Sequence, residues 1–341
     1  MKFTLSLVAC LIAMSSWATV ITVSNTPNFP AMYNAAQTAV DAAADGDTVQ
    51  VFPSVTSYGD LNITHGITLI GSGLGSSFRS FFSSIDCATV QAVHLLGIEI
   101  SYLGQNTTIG GNNWIIESCK INNNFYLAGI WNNVLVKHCF GMNYLDAMYD
   151  DNGLVFSNNV FVASPFTGEI LVGNQNLNNP STTATFFGNN YFQGSVRFRS
   201  ANLLFNDNIF QNVLDGFPND ACYTCIFQNN YSFCQSCLIS NISSAVSINN
   251  IENGPNPFVN ESSDLSQADF NLVVSSTAIN AGVNGTDIGI HAGLFPPSEG
   301  LNYGLFVPGM PVIDLFTIVN PIIEQNGQLE IQAVSTIPAA E

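Results

Sequence analysis

Four cysteines near residue 230 have the spacing of a compact metal or disulfide cluster. Eight residues separate the pair Cys222-x-x-Cys225 from the pair Cys234-x-x-Cys237. Four thiolates in this arrangement could hold a tetrahedral zinc ion. In an exported chain the same spacing favours disulfides instead. Disulfides are therefore the leading interpretation, with zinc and free thiols as open alternatives.

A second candidate lies on the short segment Val196-Arg197-Phe198-Arg199. If Val196 and Phe198 face inward on a strand, both arginines point outward on the same face. An arginine with a shifted pKa can act as a catalytic base. The alternative is that both arginines pair with neighbouring acids on a solvated sheet face.

The four histidines offer no comparable pattern. They are scattered through the chain without the spacing of metal ligands, which predicts structural roles; they are His65, His94, His138 and His291. The chain also lacks a nucleophile elbow. Gly71-Ser72-Gly73 lacks the rest of a phosphate-binding fingerprint.

Composition narrows the classes of partner. Charged residues make up 9% of the chain and hydrophobic residues 47%. Without Lys2, which lies in the predicted leader, five basic residues face 24 acidic ones, a net charge of −19. Nucleic acid is excluded as a partner, because binding phosphates requires clustered Lys and Arg. Tight binding to a polyanion would need bridging cations such as Ca²⁺.

Residues 1–18 have the pattern of a secretory signal peptide. Lys2 is followed by an apolar run from Phe3 to Met14, and Ser16-Trp17-Ala18 fits a cleavage site. The run is too short to span a bilayer, and no later stretch qualifies as a transmembrane helix. Leu7-Val8-Ala9-Cys10 also resembles a lipobox, which leaves a lipoprotein as the alternative. The chain is therefore predicted to be secreted or held at the cell surface.

The elements that would position these side chains come from a repeat. Each unit is a short apolar run, two polar residues ending in Asn, and a further apolar residue, as in 154–161, 186–192, 203–210 and 226–231. The spacings between aligned positions are 20, 20, 31, 18, 22 and 20 residues. The aligned positions are Cys119, Cys139, Asn159, Asn190, Asn208, Asn230 and Asn250. A period near 20 with β-rich segments predicts a solenoid.

The phase of the repeat predicts which residues form its core. Positions five and three before the Asn and two after it, such as Leu154, Phe156 and Phe161, are expected to point inward. The Asn itself marks a corner, where stacked side-chain amides can hydrogen-bond along the axis. The sequence therefore predicts an Asn ladder beside a stack of aromatic rings. Cys119 and Cys139 would sit in the ladder, either bridged or stacked.

The ends of the solenoid have their own signals. Apolar residues from Met32 to Ala43 recur at helical spacing and Gly46 follows, which predicts a capping helix over the first coil. The repeat domain is predicted to span residues 19–293. Residues 294–341 are predicted to form a linker and a short β tail, with strands at 312–316 and 328–332 and a turn at Asn326-Gly327.

These features resemble a known superfold. "AAADGDTVQVFPS", "SYGDLNITHGITLIGSG", the Asn repeats and "STAINAGVNGTDIGIHAG" are similar to secreted β-helix proteins common in Bacteroidetes. The resemblance covers roughly residues 19–340 and implies an all-β, right-handed parallel β-helix of the pectate-lyase-like type. That superfold hosts lyases, hydrolases, adhesins and spacers, so the fold does not settle the function.

The resemblance implies a groove on the strands one face away from the Asn corners. The stacked segments there would be 127–130, 145–148, 169–173, 196–199 and 214–215. Their charged residues are Asp146, Glu169, Arg197, Arg199 and Asp215. A polysaccharide lyase would use Arg197 or Arg199 as the base, with the three acids holding Ca²⁺ to stabilise the enolate.

Several departures weaken an enzymatic interpretation. The fixed Lys and Arg motifs of the family's lyases are missing. Asp150-Asp151 resembles the paired acids of polygalacturonases, but their Gly-His-Gly and Arg-x-Lys motifs are absent, and Asp-Asn-Gly is an ordinary turn. The leading hypothesis is a non-enzymatic β-helix that binds extracellular polysaccharide or has a structural or adhesive role. Exposed aromatics, including Trp131, would mark glycan binding. A Ca²⁺-assisted lyase and a spacer without a ligand are the competing hypotheses.

Overall fold

The protein is described by a computed structural model. It covers residues 18–27, 29–73, 79–87, 91–104, 111–127, 131–147, 152–165, 169–173, 185–213, 222–223, 225–233, 239, 242, 245–262, 268–296, 312–318 and 331–336. Helix α1 spans Ala36–Ala42, and a 3₁₀ turn spans Val283–Gly285. Apart from a 3₁₀ assignment at Ile239, the other regular structure in the described ranges consists of β-strands.

In chain order the strands are β1 (Val20–Val23), β2 (Thr48–Val51), β3 (Asp60–Ile63), β4 (Thr68–Ile70), β5 (Phe81–Cys87), β6 (His94–Leu96), β7 (Glu99–Leu103), β8 (Ile115–Glu117), β9 (Lys120–Ile121), β10 (Asn124–Leu127), β11 (Asn132–Lys137), β12 (Phe140–Gly141), β13 (Tyr144–Ala147), β14 (Asn152–Ser157), β15 (Val160–Val162), β16 (Glu169–Gly173), β17 (Thr185–Gly188), β18 (Tyr191–Ala201), β19 (Leu203–Asn206), β20 (Ile209–Val213), β21 (Cys222–Tyr223), β22 (Ile226–Gln228), β23 (Tyr231–Ser232), β24 (Val246–Ile248), β25 (Phe258–Asn260), β26 (Asp269–Leu272), β27 (Val312–Ile318) and β28 (Ile331–Thr336).

Two parallel sheets run along the coil. The first has 11 strands in the order β1-β2-β4-β6-β8-β11-β14-β17-β19-β22-β24, and the second has 13 strands drawn from the segments between them. Each coil adds one strand to the first sheet and then crosses to the second, as parallel pairing requires. The predicted all-β parallel β-helix is therefore confirmed.

The second sheet bends within each coil. Strand β18 shows the bend, because residues 191–193 pair with β15 and residues 195–199 pair with β16. Gly194 lies between them with φ +126°, and an added Cβ would lie 2.4 Å from the Cβ of Ala163. A side chain at this position would therefore open the bend. The segment after the bend carries the candidate site.

The core is a set of registered side chains that stack from coil to coil. Phe156, Phe187, Phe205 and Phe227 are fully buried, and consecutive rings are 4.9, 4.7 and 4.6 Å apart between centroids. The inward positions predicted from the repeat are thus confirmed. Burial of each phenylalanine contributes roughly 2–3 kcal/mol, and favourable ring pairs add about 0.5–1.5 kcal/mol.

The predicted Asn ladder is also present. The Nδ2 atoms of Asn159, Asn190, Asn208 and Asn230 each donate to the Oδ1 of the next ladder residue at 3.0 Å, and Asn250 ends the series. Each of those Oδ1 atoms also accepts a hydrogen bond from the backbone N–H of the ladder residue one coil earlier, at 2.8–2.9 Å. The ladder thus satisfies the buried polar groups at each corner.

The residue before each ladder position has a left-handed backbone conformation. Its φ lies between 50° and 56° in every coil from Ser118 onward. Asn and Asp tolerate this conformation better than most residues, and they occupy most of these positions. We call this set the corner row: Ser118, His138, Asn158, Asn189, Asp207, Asn229 and Asn249.

Helix α1 packs against β1, β2 and β3 at the start of the coil. Ala36, Ala39 and Val40 form its buried face. The predicted cap is thus confirmed, but it is shorter than the apolar pattern indicated. Met32 precedes the helix and is 65% exposed, because the chain from Ser24 to Tyr33 first returns to β1 through backbone hydrogen bonds.

A second hydrophobic layer covers part of the second sheet from outside. Tyr191, Ile209 and Tyr231 point away from the coil and are nevertheless fully buried. They pack under Phe258, Phe270, Ala278, Ile288 and Ile290. The hydroxyl of Tyr191 donates to Glu261, which also accepts from Gln211 at 2.8 Å. The sequence analysis did not predict this layer.

The chain then runs back along the corner row as a strap, which we define as Val283–Phe295. The Nδ2 of Asn158 donates to the carbonyl oxygens of Ile290 and Ala292 at 2.9 and 2.6 Å. The Nδ2 of Asn189 donates to the Gly289 oxygen at 3.2 Å. The strap therefore crosses several coils from the C-terminal end of the solenoid towards its N-terminal end.

The C-terminal tail contributes an antiparallel pair, β27 and β28. These strands overlap the two predicted tail strands, while the predicted turn at Asn326-Gly327 lies outside the described residues. The predicted signal segment lies outside them as well, apart from Ala18. Within the described ranges, no helix has the length and apolarity needed to cross a membrane.

Candidate functional site

The candidate site lies on the outer surface of the second sheet, after the bend. Its strands are β10, β13, β16 and the second half of β18, which pair in that order. Phe125, Leu145, Val172, Val196 and Phe198 face the core and are at most 2% exposed. Strand alternation therefore places the residues between them on the outer face.

Two registered rows cross this surface. The first contains Asn124, Tyr144, Leu171 and Arg197, and the second contains Tyr126, Asp146, Gly173 and Arg199. Glu169 pairs with Ser195, beside the first row. We call this surface the Tyr–Arg face, defined by Asn124, Tyr126, Tyr144, Asp146, Glu169, Arg197 and Arg199.

The backbone thus brings together four of the five charged residues that the sequence analysis selected. Asp146, Glu169 and Arg199 are placed by backbone position, and Arg197 is partly exposed. With adjacent strands about 4.8 Å apart, Asp146 and Arg199 stand on strands about 10 Å apart. Asp215 lies outside the described residues, as do Asp150 and Asp151.

Two tyrosines on this face were not selected from the sequence. Tyr126 and Tyr144 are half-buried, with ring centroids 5.9 Å apart and planes inclined by 57°. The Nδ2 of Asn124 donates to the Tyr126 hydroxyl at 2.5 Å, which helps to fix that ring. The signal was available, because Tyr alternates with an inward residue in Phe125-Tyr126 and Tyr144-Leu145.

Trp131 does not belong to this face, which corrects the expectation that it is exposed for glycan binding. It is 1% exposed and makes an edge contact with Trp114, with ring centroids 5.3 Å apart. Trp131 lies in the main core of the coil. A sugar ring cannot stack on a side chain enclosed in this way, so the indole acts as a packing element.

Three other basic residues are paired with two glutamates, of which Glu99 is buried and Glu117 is half-buried. Glu99 is 2% exposed and pairs with Arg79 at 2.7 Å and Lys120 at 3.8 Å. Glu117 pairs with Lys137 at 3.0 Å and contacts His94 at 3.2 Å. Burial favours the neutral carboxyl, but hydrogen bonds from His94 and Lys137 hold the pKa of Glu117 at about 2.

The remaining histidines are dispersed, as predicted. His65 contacts Thr64 at 3.1 Å, and the Nε2 of His138 meets the Phe295 carbonyl oxygen at 2.7 Å. Burial lowers the pKa of His291, while nearby Asp269 opposes that shift. These side chains lie on different parts of the coil and the strap.

The cysteine cluster is only partly within the described residues. Cys222 belongs to β21, which pairs with β18, and Cys225 is fully buried. Cys234 and Cys237 lie outside the described residues, so the choice between disulfides and zinc stays a prediction. In the part of the chain that is described, no group of three or more His, Cys, Asp or Glu residues could hold a metal ion.

The two ladder cysteines are free thiols buried in the core. The Sγ of Cys139 donates to the Lys137 carbonyl oxygen at 3.3 Å and the Ile116 oxygen at 3.5 Å. Burial raises the pKa of Cys139 well above its usual range, and the neighbouring Cys119 reinforces this. Of the two sequence-based alternatives, the thiols therefore stack rather than bridge.

Chemically, the Tyr–Arg face combines aromatic rings with guanidinium groups on a rigid sheet. Aromatic faces can pack on the apolar faces of sugar rings, and guanidinium groups hydrogen-bond to hydroxyl or carboxylate oxygens. No model of a known protein family matches the chain, and no curated protein matches it in sequence. What the structure shows is the parallel β-solenoid itself.

Proposed function

We propose that the protein is an extracellular or cell-surface β-helix that binds a polysaccharide on the Tyr–Arg face, in a structural or adhesive role. The observation that carries the proposal is the half-buried pair Tyr126 and Tyr144, in the same registered rows as Arg197 and Arg199. The predicted signal peptide supports the extracellular location.

The proposal accounts for the distribution of positive charge. Arg79, Lys120 and Lys137 are engaged by Glu99 and Glu117. The two other basic residues of the mature chain share the Tyr–Arg face. An acidic glycan would therefore meet less electrostatic repulsion at this face than elsewhere on the surface of a chain of net charge −19. Divalent cations would further lower that repulsion.

Affinity electrophoresis and calorimetry would test binding to pectate, alginate, chondroitin, glucan and xylan, with and without Ca²⁺. We expect Tyr126→Ala combined with Tyr144→Ala to weaken binding by roughly 5- to 150-fold, since two aromatic contacts contribute about 1–3 kcal/mol. Gln228→Ala, on the first sheet, is the control and should bind like wild type. Equal loss in the control, or no binding to any polymer, would contradict the proposal.

A Ca²⁺-assisted polysaccharide lyase is the second candidate. It is favoured by the alternation in β18, where Val196 and Phe198 are buried, Arg197 between them is partly exposed, and Arg199 is the next residue on the strand. Such an enzyme would remove the proton next to a uronate carboxylate, and the electron pair would form a C=C bond as the glycosidic C–O bond on the neighbouring carbon breaks. The leaving sugar oxygen would take up a proton, and the other product would have an unsaturated end.

Ultraviolet absorbance and reducing ends, followed on the same polymers, separate catalysis from binding. Absorbance that rises with wild type and disappears in Arg197→Ala or Arg199→Ala would establish the lyase. New reducing ends without absorbance would indicate hydrolysis. Silence in both assays, with retained binding, would leave the adhesive role as the function.

A further inference from the structure

An unusual apolar stripe crosses the outer surface of the first sheet. Outward positions on parallel sheets are apolar when another layer covers them. Here seven consecutive coils place an apolar side chain at the same outward position. These residues, which we call the apolar ridge, are Ile115, Leu135, Val155, Phe186, Leu204, Ile226 and Val246.

The ridge remains accessible to solvent. Ile115 is 36% exposed, Ile226 37% and Val246 51%, and the four residues between Ile115 and Ile226 are half-buried. Six inter-strand steps make the ridge about 29 Å long. A contiguous apolar patch of this kind on a monomer marks a surface that binds something.

The strap leads the chain to this ridge. The Phe295 carbonyl oxygen lies 2.7 Å from the Nε2 of His138, and the Phe295 ring lies 5.5 Å from the Nζ of Lys137. Lys137 is two residues after Leu135 on β11, so both belong to the same outward face. The chain therefore reaches the edge of the ridge near its second residue.

The segment that follows the strap has the composition and length to cover the ridge. Residues 297–311 supply 15 linking residues, which span at most about 50 Å. Strands β27 and β28 come next, and they place Phe316 opposite Ala333 and Ile318 opposite Ile331. An isolated two-stranded hairpin is marginally stable in water, so this pair needs a surface to pack on.

We propose that the β27–β28 hairpin packs on the apolar ridge of its own coil. The hairpin, with strands of seven and six residues, extends about 20–24 Å and would cover most of the ridge. A second copy of the chain fits less well, because two molecules of net charge −19 repel each other. The hairpin would form a third layer that continues the strap interface.

Photo-crosslinking of the full chain tests this packing. We would replace Phe186 with benzoylphenylalanine, a photoreactive phenylalanine analogue, and use the same replacement at Gln228 as the control. Gln228 also points outward from the first sheet, but in the neighbouring polar row. We expect the Phe186 probe to react within the monomer with a peptide from residues 312–336, at least fivefold more than the control. A crosslinked dimer would assign the ridge to a second copy, and reaction with neither would also overturn the proposal.

A second test measures exposure of the apolar ridge with a hydrophobic dye and does not depend on the photoreactive residue. Full-length Phe316→Asp should bind several-fold more of a hydrophobic dye than wild type, because the ridge loses its cover. Circular dichroism would confirm that the coil remains folded. Adding Leu204→Thr to that variant should reverse part of the increase. Unchanged dye binding in folded Phe316→Asp would contradict the packing.

Discussion

At the scale of single residues, the ladder position accepts either an amide or a thiol. The Nδ2 of Asn159 donates to the Val136 carbonyl oxygen at 2.9 Å, and the Sγ of Cys139 donates to the equivalent Ile116 oxygen one coil earlier at 3.5 Å. The thiol is a weaker donor and provides no Oδ1 for the preceding coil. The ladder therefore loses an acceptor where it meets the cysteines.

Cys139→Asn should stabilise the protein by about 1 kcal/mol. The new Oδ1 would accept the Cys119 backbone N–H, and the new Nδ2 would donate to Ile116 and to Asn159, as at the following corners. Urea denaturation would measure the free energy of unfolding. Cys139→Ala, which removes the Sγ atom and its hydrogen bonds, should be less stable than wild type. A destabilised Cys139→Asn would mean that the thiol pair is required for packing.

Asp207 is the acidic member of the corner row. Burial raises the pKa of its carboxyl to about 6, although the Val283 N–H that donates to Oδ1 at 2.9 Å opposes the shift. In the unfolded chain the pKa returns to about 3.8. The native state therefore binds the proton more tightly, so stability is lost as the pH rises from about 3.8 to about 6.

Asp207→Asn should remove this loss while keeping the acceptor for Val283. At pH 8 the variant should be more stable than wild type, by on the order of 1–2 kcal/mol after allowance for solvent screening. At pH 4 the two proteins should differ little. Thermal denaturation at both pH values measures the difference. An equal gain at pH 4 and pH 8 would show that the effect does not come from ionisation.

Individual residues differ in how well their sequence context predicted them. The inward phenylalanines were predictable, because the repeat fixes their phase relative to the Asn corner. The partly exposed position of Arg197 followed from the alternation of Val196 and Phe198. The burial of Trp131 was not predictable, because a Trp just before a strand carries no local sign of its contact with Trp114. The contact between Tyr126 and Tyr144 was not predictable from local spacing, because their strands lie in successive coils and the rings meet only through strand pairing.

At the scale of elements, the strap depends on side chains of the corner row. Asn158 is fully buried and holds two strap carbonyls. Asn249 has the same left-handed backbone, with φ 52° against 56°, but it is exposed at the end of the coil. Comparing the same substitution at both positions therefore separates the energetic cost of the left-handed backbone from the stability that the strap contacts contribute.

Asn158→Ala should destabilise the protein by about 2–3 kcal/mol more than Asn249→Ala, because it removes the donor from two strap carbonyls, one buried and one partly buried. Both substitutions place alanine in the left-handed region, so that cost cancels in the comparison. Hydrogen exchange should show faster opening of residues 283–295 in the Asn158 variant alone. If both variants lose the same stability, the strap contributes little.

Some elements could be predicted from the sequence and others could not. A period near 20 residues predicted the strand order and the ladder. The second hydrophobic layer could not be predicted in this way, because the residues that cover Tyr191 and Ile209 come from positions 258–290, which lack the repeat. The apolar outward residues signalled that a cover exists, but local spacing cannot identify the segment that supplies it.

At the scale of the whole molecule, acidic residues greatly outnumber basic ones. The full chain's net charge of −18 leaves few attractive pairs. The ion pairs of Glu99 and Glu117 have their carboxylates at most 13% exposed, which makes salt screening of these pairs weaker than that of fully exposed charges. Repulsion among surface carboxylates is therefore the electrostatic effect that salt can change most.

Stability should increase with ionic strength. Raising NaCl from 10 to 150 mM shortens the Debye length from about 30 to about 8 Å, which weakens the repulsion and should raise Tm by a few degrees. CaCl₂ at matched ionic strength is the control for specific cation binding. A larger increase with Ca²⁺ would favour a bound cation, and a lower Tm in NaCl would mean that attractive surface pairs dominate.

The strap also changes the folding cooperativity of the coil. Ladder partners after Cys139 are 18 to 31 residues apart, whereas the strap contacts of Asn189, Asn158 and His138 join residues 100, 132 and 157 positions apart. A solenoid with only short-range contacts can fray coil by coil from its ends. Contacts of high contact order form late, because their loops are costly to close. The central coils can therefore assemble pairwise during synthesis, but they become a single unit that opens together only after Phe295 has been added.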